Sequence, residues 1–241
     1  MRKTNNGLQS VKRDMLIEAP LEKVWSALTE AEQLTRWYAK EASVDFRVGG
    51  RMELDHGWGA STSGIITEIE HGKHFILQGE DMSLTITTLT QEAAGVRVST
   101  EYRLELPFGD AGQAIADNMA YGTLLFLHNL KSVYETGQDS QDKMWRTWIG
   151  IQHMTVHPQD GQPLGSKVLS VKGSSPAVVA GLQPDDILVN INNTTISSYS
   201  DLEAAICELA IDEQVSLTVW RNGDIISITC SIGSYPVPYC A

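Results

Sequence analysis

The chain has 241 residues, enough for one large domain or two ordinary ones and for a core that needs no disulfide staples. With 42% hydrophobic and 20% charged residues it reads as globular rather than disordered. A formal net charge of −12 repels phosphate backbones and anionic lipid heads, so neither nucleic acid nor a membrane surface is an expected partner.

Behind Met1-Arg2-Lys3 no apolar run follows, so a signal peptide is not expected. Gln9 to Ile17 has strand composition. Ala19-Pro20 then starts a helix in which Leu21, Val24, Trp25 and Leu28 recur at helical spacing. Glu30-Ala31-Glu32 opens a second, short helix carrying Leu34, Trp37 and Tyr38. From Ala42 to Leu106 the period falls to two, as in Arg51-Met52-Glu53-Leu54 and Ser83 to Thr87. Turns fall at Val48-Gly49-Gly50, Glu70-His71-Gly72 and Ala93-Ala94-Gly95, which predicts an antiparallel meander. One long helix follows, from Asp110 to Thr136, stopped by Gly137. Ile115, Met119, Gly122, Phe126, Leu130 and Val133 mark its apolar face. Sheet and helix each need to bury one face, so a curved sheet around that last helix is the expected solution.

Gln138 to Lys143 has no apolar residue and reads as a connector, which divides the chain into 1–138, a linker at 139–145, and 146–241. Strands are expected over Ile149–Val156, Lys167–Val171 and Ile187–Ile191. A short helix runs from Ser175-Pro176 to Ala180 and ends at Gly181; a longer one covers Asp201–Leu209. Val215–Trp220 and Ile225–Ile232 form a hairpin across Asn222-Gly223. No apolar run reaches the roughly 18 residues of a membrane-spanning helix. The three cysteines, Cys207, Cys230 and Cys240, are scattered and never form a CxxC pair; Cys207 falls in a helical pattern and Cys230 in a strand. A reducing cytoplasm is the expected compartment.

Ala19 to Glu30, Leu34-Thr35-Arg36-Trp37-Tyr38 and Phe46-Arg47-Val48-Gly49-Gly50-Arg51 resemble the SRPBCC superfamily, and within it the branch related to activators of a heat-shock chaperone ATPase. The resemblance covers about Gln9 to Thr136. It implies a helix-grip fold with a cavity between sheet and long helix, and roles that range from ligand carriage to catalysis. Trp37, Tyr38, Trp58, Met119, Tyr121 and Phe126 are the candidates for its wall, with His128 as the candidate polar handle. No sequence feature identifies a ligand.

The run from Gly173 to Asn193, with Ser175-Pro176, Gly181-Leu182 and Pro184-Asp185-Asp186-Ile187, is similar to PDZ domains of the bacterial high-temperature-requirement protease type. The likeness covers about Arg146 to Gly233. The family often has glycine where Asp185 and Asn193 stand, and both positions are expected to be left-handed. The whole is thus expected to be α+β: a helix-grip domain, then a PDZ barrel with two helices. The resemblance implies capture of a protein C-terminus as an added strand, its carboxylate held by the backbone of Trp148-Ile149-Gly150-Ile151. Ile149 and Ile151 would line the pocket for the last side chain, opposite Leu202, Ala205 and Ile206. Gly150→Val is expected to crowd the converging amides.

A catalytic constellation is not visible: there is no GxSxG elbow, no P-loop and no dinucleotide fingerprint, and Gly165-Ser166 and Gly173-Ser174 read as turns. His71 with His74, and His153 with His157, are too few ligands for structural zinc, and Glu101, Glu105 and Asp110 fit a solvated face. No metal or cofactor is expected. The leading reading is a non-enzymatic adaptor that binds protein C-termini through one half and an apolar small molecule or a protein surface through the other. A co-chaperone acting on a chaperone ATPase, and an enzyme working in the helix-grip cavity, are the alternatives.

Overall fold

The computed structural model describes residues 9–57, 59–144, 146–156 and 161–236. They form two compact units. One runs to Leu106 and resumes over Gly122–Asp142; the other takes Pro107–Tyr121 and resumes at Lys143.

The first unit begins with β1 (Gln9–Ile17), α1 (Leu21–Thr29) and α2 (Ala31–Leu34). Six further strands follow: β2 (Glu41–Val44), β3 (Arg51–Asp55), β4 (Ser61–Glu70), β5 (His74–Gln78), β6 (Leu84–Glu92) and β7 (Gly95–Leu104). They build one antiparallel sheet in the order β1-β7-β6-β5-β4-β3-β2. Each strand of the meander pairs with the next, and β1 closes onto the last, from Gln9 opposite Leu104 to Ile17 opposite Val96. The two-residue period is visible in β3, where Met52 and Leu54 are buried while Arg51, Glu53 and Asp55 are exposed.

Helix α3 (Asp110–Thr136) ends at Gly137, whose φ is +78°. Its Leu127, Leu130, Val133 and Tyr134 join Val24, Trp25, Ile66 and Val98 in the core of the first unit. The sequence suggests one apolar face along the whole helix, yet Ile115 is 36% exposed and Pro107–Tyr121 belongs to the second unit. Beyond α3 the apolar-free connector is folded down. Asn129 donates to Trp37 O (2.7 Å) and Asp139 Oδ1 (2.9 Å) and accepts from Ser140 N (2.8 Å), and a 3-10 turn at Gln141–Lys143 follows.

The second unit contains β8 (Thr147–Trp148), β9 (Ile151–Val156), β10 (Gly165–Val171), α4 (Pro176–Ala180), β11 (Ile187–Ile191) and β12 (Thr194–Thr195). Then come α5 (Tyr199–Cys207), β13 (Gln214–Arg221), β14 (Asp224–Ser231) and β15 (Gly233–Ser234). The main sheet has the order β14-β13-β11-β10-β9 with β12 on β11, while β8 pairs with β15. Ile149, Leu188, Leu202, Leu217 and Ile232 fill its core.

Local chemistry explains the turns. Ser175 caps α4 by accepting from Val178 N (3.3 Å), Pro176 takes the first helical position, and the β13–β14 hairpin turns on Asn222 (φ +52°) and Gly223 (φ +99°). Asp185 is left-handed as expected (φ +70°), but in the next turn the left-handed residue is Asn192 (φ +51°), one place before the expected Asn193. Asn192 Oδ1 accepts from Ser216 N (2.9 Å), a brace that selects this residue for the strained position. Gly165-Ser166 is not a turn but the start of β10.

Candidate functional site

The first unit encloses a cavity of about 60 Å³ between its sheet and α3. Trp37, Tyr38 and Phe126 line it together with Leu34, Met52, Leu77 and a set of threonines that includes Thr62, Thr85 and Thr100. Tyr38 stacks on Trp37 (4.8 Å) and meets Phe126 edge-on (4.7 Å). Burial holds the Tyr38 pKa well above the ordinary value, and the neighbouring Tyr102 raises it further. His56 lies against the Tyr38 ring. Its Nδ1 meets Tyr38 O (3.0 Å) and its Nε2 meets Thr62 Oγ1 (3.0 Å). A carbonyl can only accept, so Nδ1 carries the proton and Nε2 accepts from Thr62. Nothing in the sequence distinguished His56 from a turn residue.

Of the other expected wall residues, Trp58 lies outside the described residues. Met119 and Tyr121 are on the part of α3 that belongs to the second unit. Tyr121 is turned about 140° from Phe126, and Met119 sits about 10 Å from it along the axis, so one small cavity does not reach all three. His128 is exposed.

In the second unit the expected binding loop leads into an edge strand. Ile149 and Gly150 join β8 to β9; Ile149 is 1% exposed and packs in the core, and Ile151 is half-buried. Gly150 has φ +89°, and a Cβ there would lie 2.2 Å from Ser175 Cβ. This glycine is therefore required by the approach of α4's first turn as well as by the loop's own conformation.

β9 forms the edge of the sheet and faces α5. Tyr199, Glu203 and Cys207, spaced by four, make the face of α5 turned towards it. The Tyr199 ring stacks on His153 at 4.1 Å, Tyr199 N donates to Thr155 Oγ1 (2.9 Å), and Glu203 Oε1 accepts from His153 Nε2 (2.8 Å). Leu202 is fully buried and Ile206 is 2% exposed, both in the core, while Ala205 lines an open depression with Asp201, Ala204 and Glu208. Sequence periodicity selects the apolar positions of this helix; the polar face at 199, 203 and 207 carried no such signal.

His153 also bonds Ser166 Oγ through Nδ1 (2.5 Å), giving a serine–histidine–glutamate relay. Ser166 exposes no surface, so the relay braces the floor of the β9–α5 seam and offers no nucleophile to a substrate. His71 pairs with Glu22 and His74 with Glu68, and no group of three metal-ligating residues occurs among the described residues; His157 lies outside them. Glu101 is held by Arg103 (2.6 Å), and its pKa is lowered by that contact; Asp110 pairs with Lys167 (3.0 Å). Burial raises the Cys207 thiol and pushes Cys230 up to about 11. Among the described residues no helix is long and apolar enough to cross a membrane.

These features define an α+β protein: a large antiparallel sheet with a long helix, then a PDZ-like β domain. Residues 18–135 match the family model described as activator of Hsp90 ATPase homolog 1-like protein, and residues 147–232 match that of the PDZ domain. The chain thus carries an AHSA1-like domain of the SRPBCC type followed by a PDZ domain of the high-temperature-requirement type. Curated relatives align with the second domain. A probable periplasmic serine endoprotease DegP-like of Brucella suis is 30% identical over 97 residues, covering 38% of this chain and 19% of that protein. The magnetosome formation protease MamE of Magnetospirillum gryphiswaldense is 35% identical over 89 residues, covering 32% of this chain and 12% of its own. The chain therefore spans about a fifth or less of the length of these relatives. Among solved structures, the Aha1 dimer from Colwellia psychrerythraea is 19% identical with a TM-score of 0.48, over 54% of this chain and 98% of that one. The AHSA1-like protein from Aeromonas hydrophila is 21% identical with a TM-score of 0.44, over 54% and 94%. The two domain matches support a binding or adaptor role.

Proposed function

We propose that this chain is a non-enzymatic adaptor whose PDZ domain captures protein C-termini. The observation that carries the reading is the loop Trp148–Ile151, with Gly150 at φ +89°, leading into edge strand β9, with α5 alongside. Alternation along β9 places the amides of Ile151, His153 and Thr155 on one edge, the pattern that receives a peptide as an added strand. The test is a peptide array probed with the full chain, using free and amidated C-termini. Binding that vanishes on amidation supports carboxylate capture; equal binding of both forms, or none, removes it.

A co-chaperone role is the second reading, favoured by the match of residues 18–135 to the Hsp90 ATPase activator-like family. An Hsp90 ATPase rate unchanged by excess protein would count it out. Ligand carriage or catalysis in the AHSA1-like cavity has less support, since about 60 Å³ is far below the roughly 300–1,000 Å³ of sites for drug-sized ligands. Only a small apolar fragment or a few waters fit without movement of the walls. We place the protein in the cytoplasm on its cysteine pattern, a reading that cell fractionation tests directly.

A further inference from the structure

The second unit contains more chain than a PDZ domain needs, and the extra piece lies at the seam where a peptide would enter. Residues Pro107–Tyr121 pack within that unit, and the first turns of α3 reach both walls of the seam. On the strand side, Asp117 Oδ2 accepts from Thr155 N at 2.7 Å. Because that amide donates to Asp117, it points away from β10 and lies on the outer edge of β9. On the helix side, Asn118 Nδ2 donates to Tyr199 Oη (2.8 Å), and the Tyr121 hydroxyl donates to Cys207 Sγ (3.6 Å). The Tyr121 ring also meets that of Tyr199 at 6.2 Å, and Asp110 pairs with Lys167 on β10 (3.0 Å). Tyr199 and Cys207 belong to the face of α5 that turns towards β9. Asp117, Asn118 and Tyr121 are neighbours on one helical turn, so one short stretch engages strand edge and helix face at once.

We infer that residues 107–121 are a built-in occupant of the PDZ seam, which a C-terminal peptide must displace at Tyr121 near the loop and at Asp117 on Thr155. The inference rests on the reading of the seam as a carboxylate-terminal peptide site. The first amide of the edge, at Ile151 beside the carboxylate loop, lies two residues nearer the loop than His153 and four nearer than Thr155. A strand rises about 3.3 Å per residue, so a peptide must extend through about 13 Å before it competes with Asp117. Tyr121, whose hydroxyl reaches Cys207 beside the Ile206 carbonyl that Thr147 holds, stands nearer the loop, so the last residues of a peptide meet its side chain, and longer peptides must in addition replace the Asp117 carboxylate on Thr155 N with their own backbone carbonyl. The occupant makes the site selective for ligands able to supply that exchange, and it gives the chain a latent state and an open state.

The test uses the full chain carrying Asp117→Ala with Asn118→Ala. Alanine keeps the helical propensity of α3, so the substitution removes side-chain contacts without weakening the helix. Two quantities are read: hydrogen exchange at the Thr155 amide, and affinity for hexapeptides ending in Val with a free or an amidated terminus. The expected result is a Thr155 amide protected in the parent and exchanging at least about tenfold faster in the variant, with free-acid hexapeptide affinity raised about tenfold. Tyr121→Phe, which loses only a hydroxyl, is expected to raise affinity about threefold with an unchanged melting temperature. Equal affinity in parent and variant, with Thr155 deprotected, overturns the occupant while leaving peptide capture standing. A Thr155 amide that exchanges alike in both forms also overturns it. Binding of no free-acid peptide by either form removes the carboxylate reading, and the gate with it.

Discussion

His56 is a buried imidazole whose two nitrogens are both committed, one to a carbonyl and one to a threonine hydroxyl. Burial lowers its pKa below the ordinary value of 6.5. The unfolded chain therefore takes up a proton at a pH where the folded one does not, so stability is full above about 6.5 and falls as pH drops through the folded value. Thermal melts of the AHSA1-like domain between pH 7.5 and 5 should show this loss, and His56→Gln should flatten it; a pH-independent parent would contradict the assignment. Asp186 poses a different case. Its side chain exposes no surface and receives Arg221 through two bonds of 2.6 Å, with Gln183 N as a third donor (2.8 Å). Arg221→Ala strands that carboxylate, and chemical denaturation should register a loss of about 3 kcal/mol in the PDZ domain.

At the scale of the element, helix α5 shows why ends matter. Ser198 Oγ accepts from Asp201 N (3.2 Å) and Asp201 Oδ2 accepts from Ser197 N (2.9 Å), a reciprocal cap that holds Tyr199 at the mouth of the seam. Ser198→Ala should cost about 1 kcal/mol by denaturation; no change would mean that tertiary packing alone fixes the start of this helix. The loop before β9 behaves differently from its sequence reading. Gly150→Val is expected to crowd the amides of the loop, but the added carbons would first meet Ser175. The variant should therefore lower the melting temperature of the PDZ domain, and amidating the peptide is the cleaner way to probe carboxylate capture.

At the scale of the whole molecule, a net charge of −12 gives the surface a field that favours cationic partners. Asp117 and Glu203 add carboxylates at the seam itself. A C-terminal peptide with lysines upstream should associate faster than a neutral one, and the advantage should shrink as salt approaches about 0.15 M, where screening acts over about 8 Å. Association rates indifferent to salt would remove that electrostatic contribution.

The element order, β1, the whole of α3, the β13–β14 hairpin and the PDZ likeness were legible in the sequence, because period, caps and turn residues are local and each acts within a few positions. Trp37, Tyr38 and Phe126 were found for the cavity because large apolar side chains announce burial. Tertiary structure alone divided α3 between two units, moved Tyr121 from cavity wall to the face of α5, and showed that the polar positions 199, 203 and 207 line the seam. Periodicity records which residues are buried but not which partner buries them. An aspartate such as Asp117 becomes meaningful only when folding sets it opposite an unpaired strand amide.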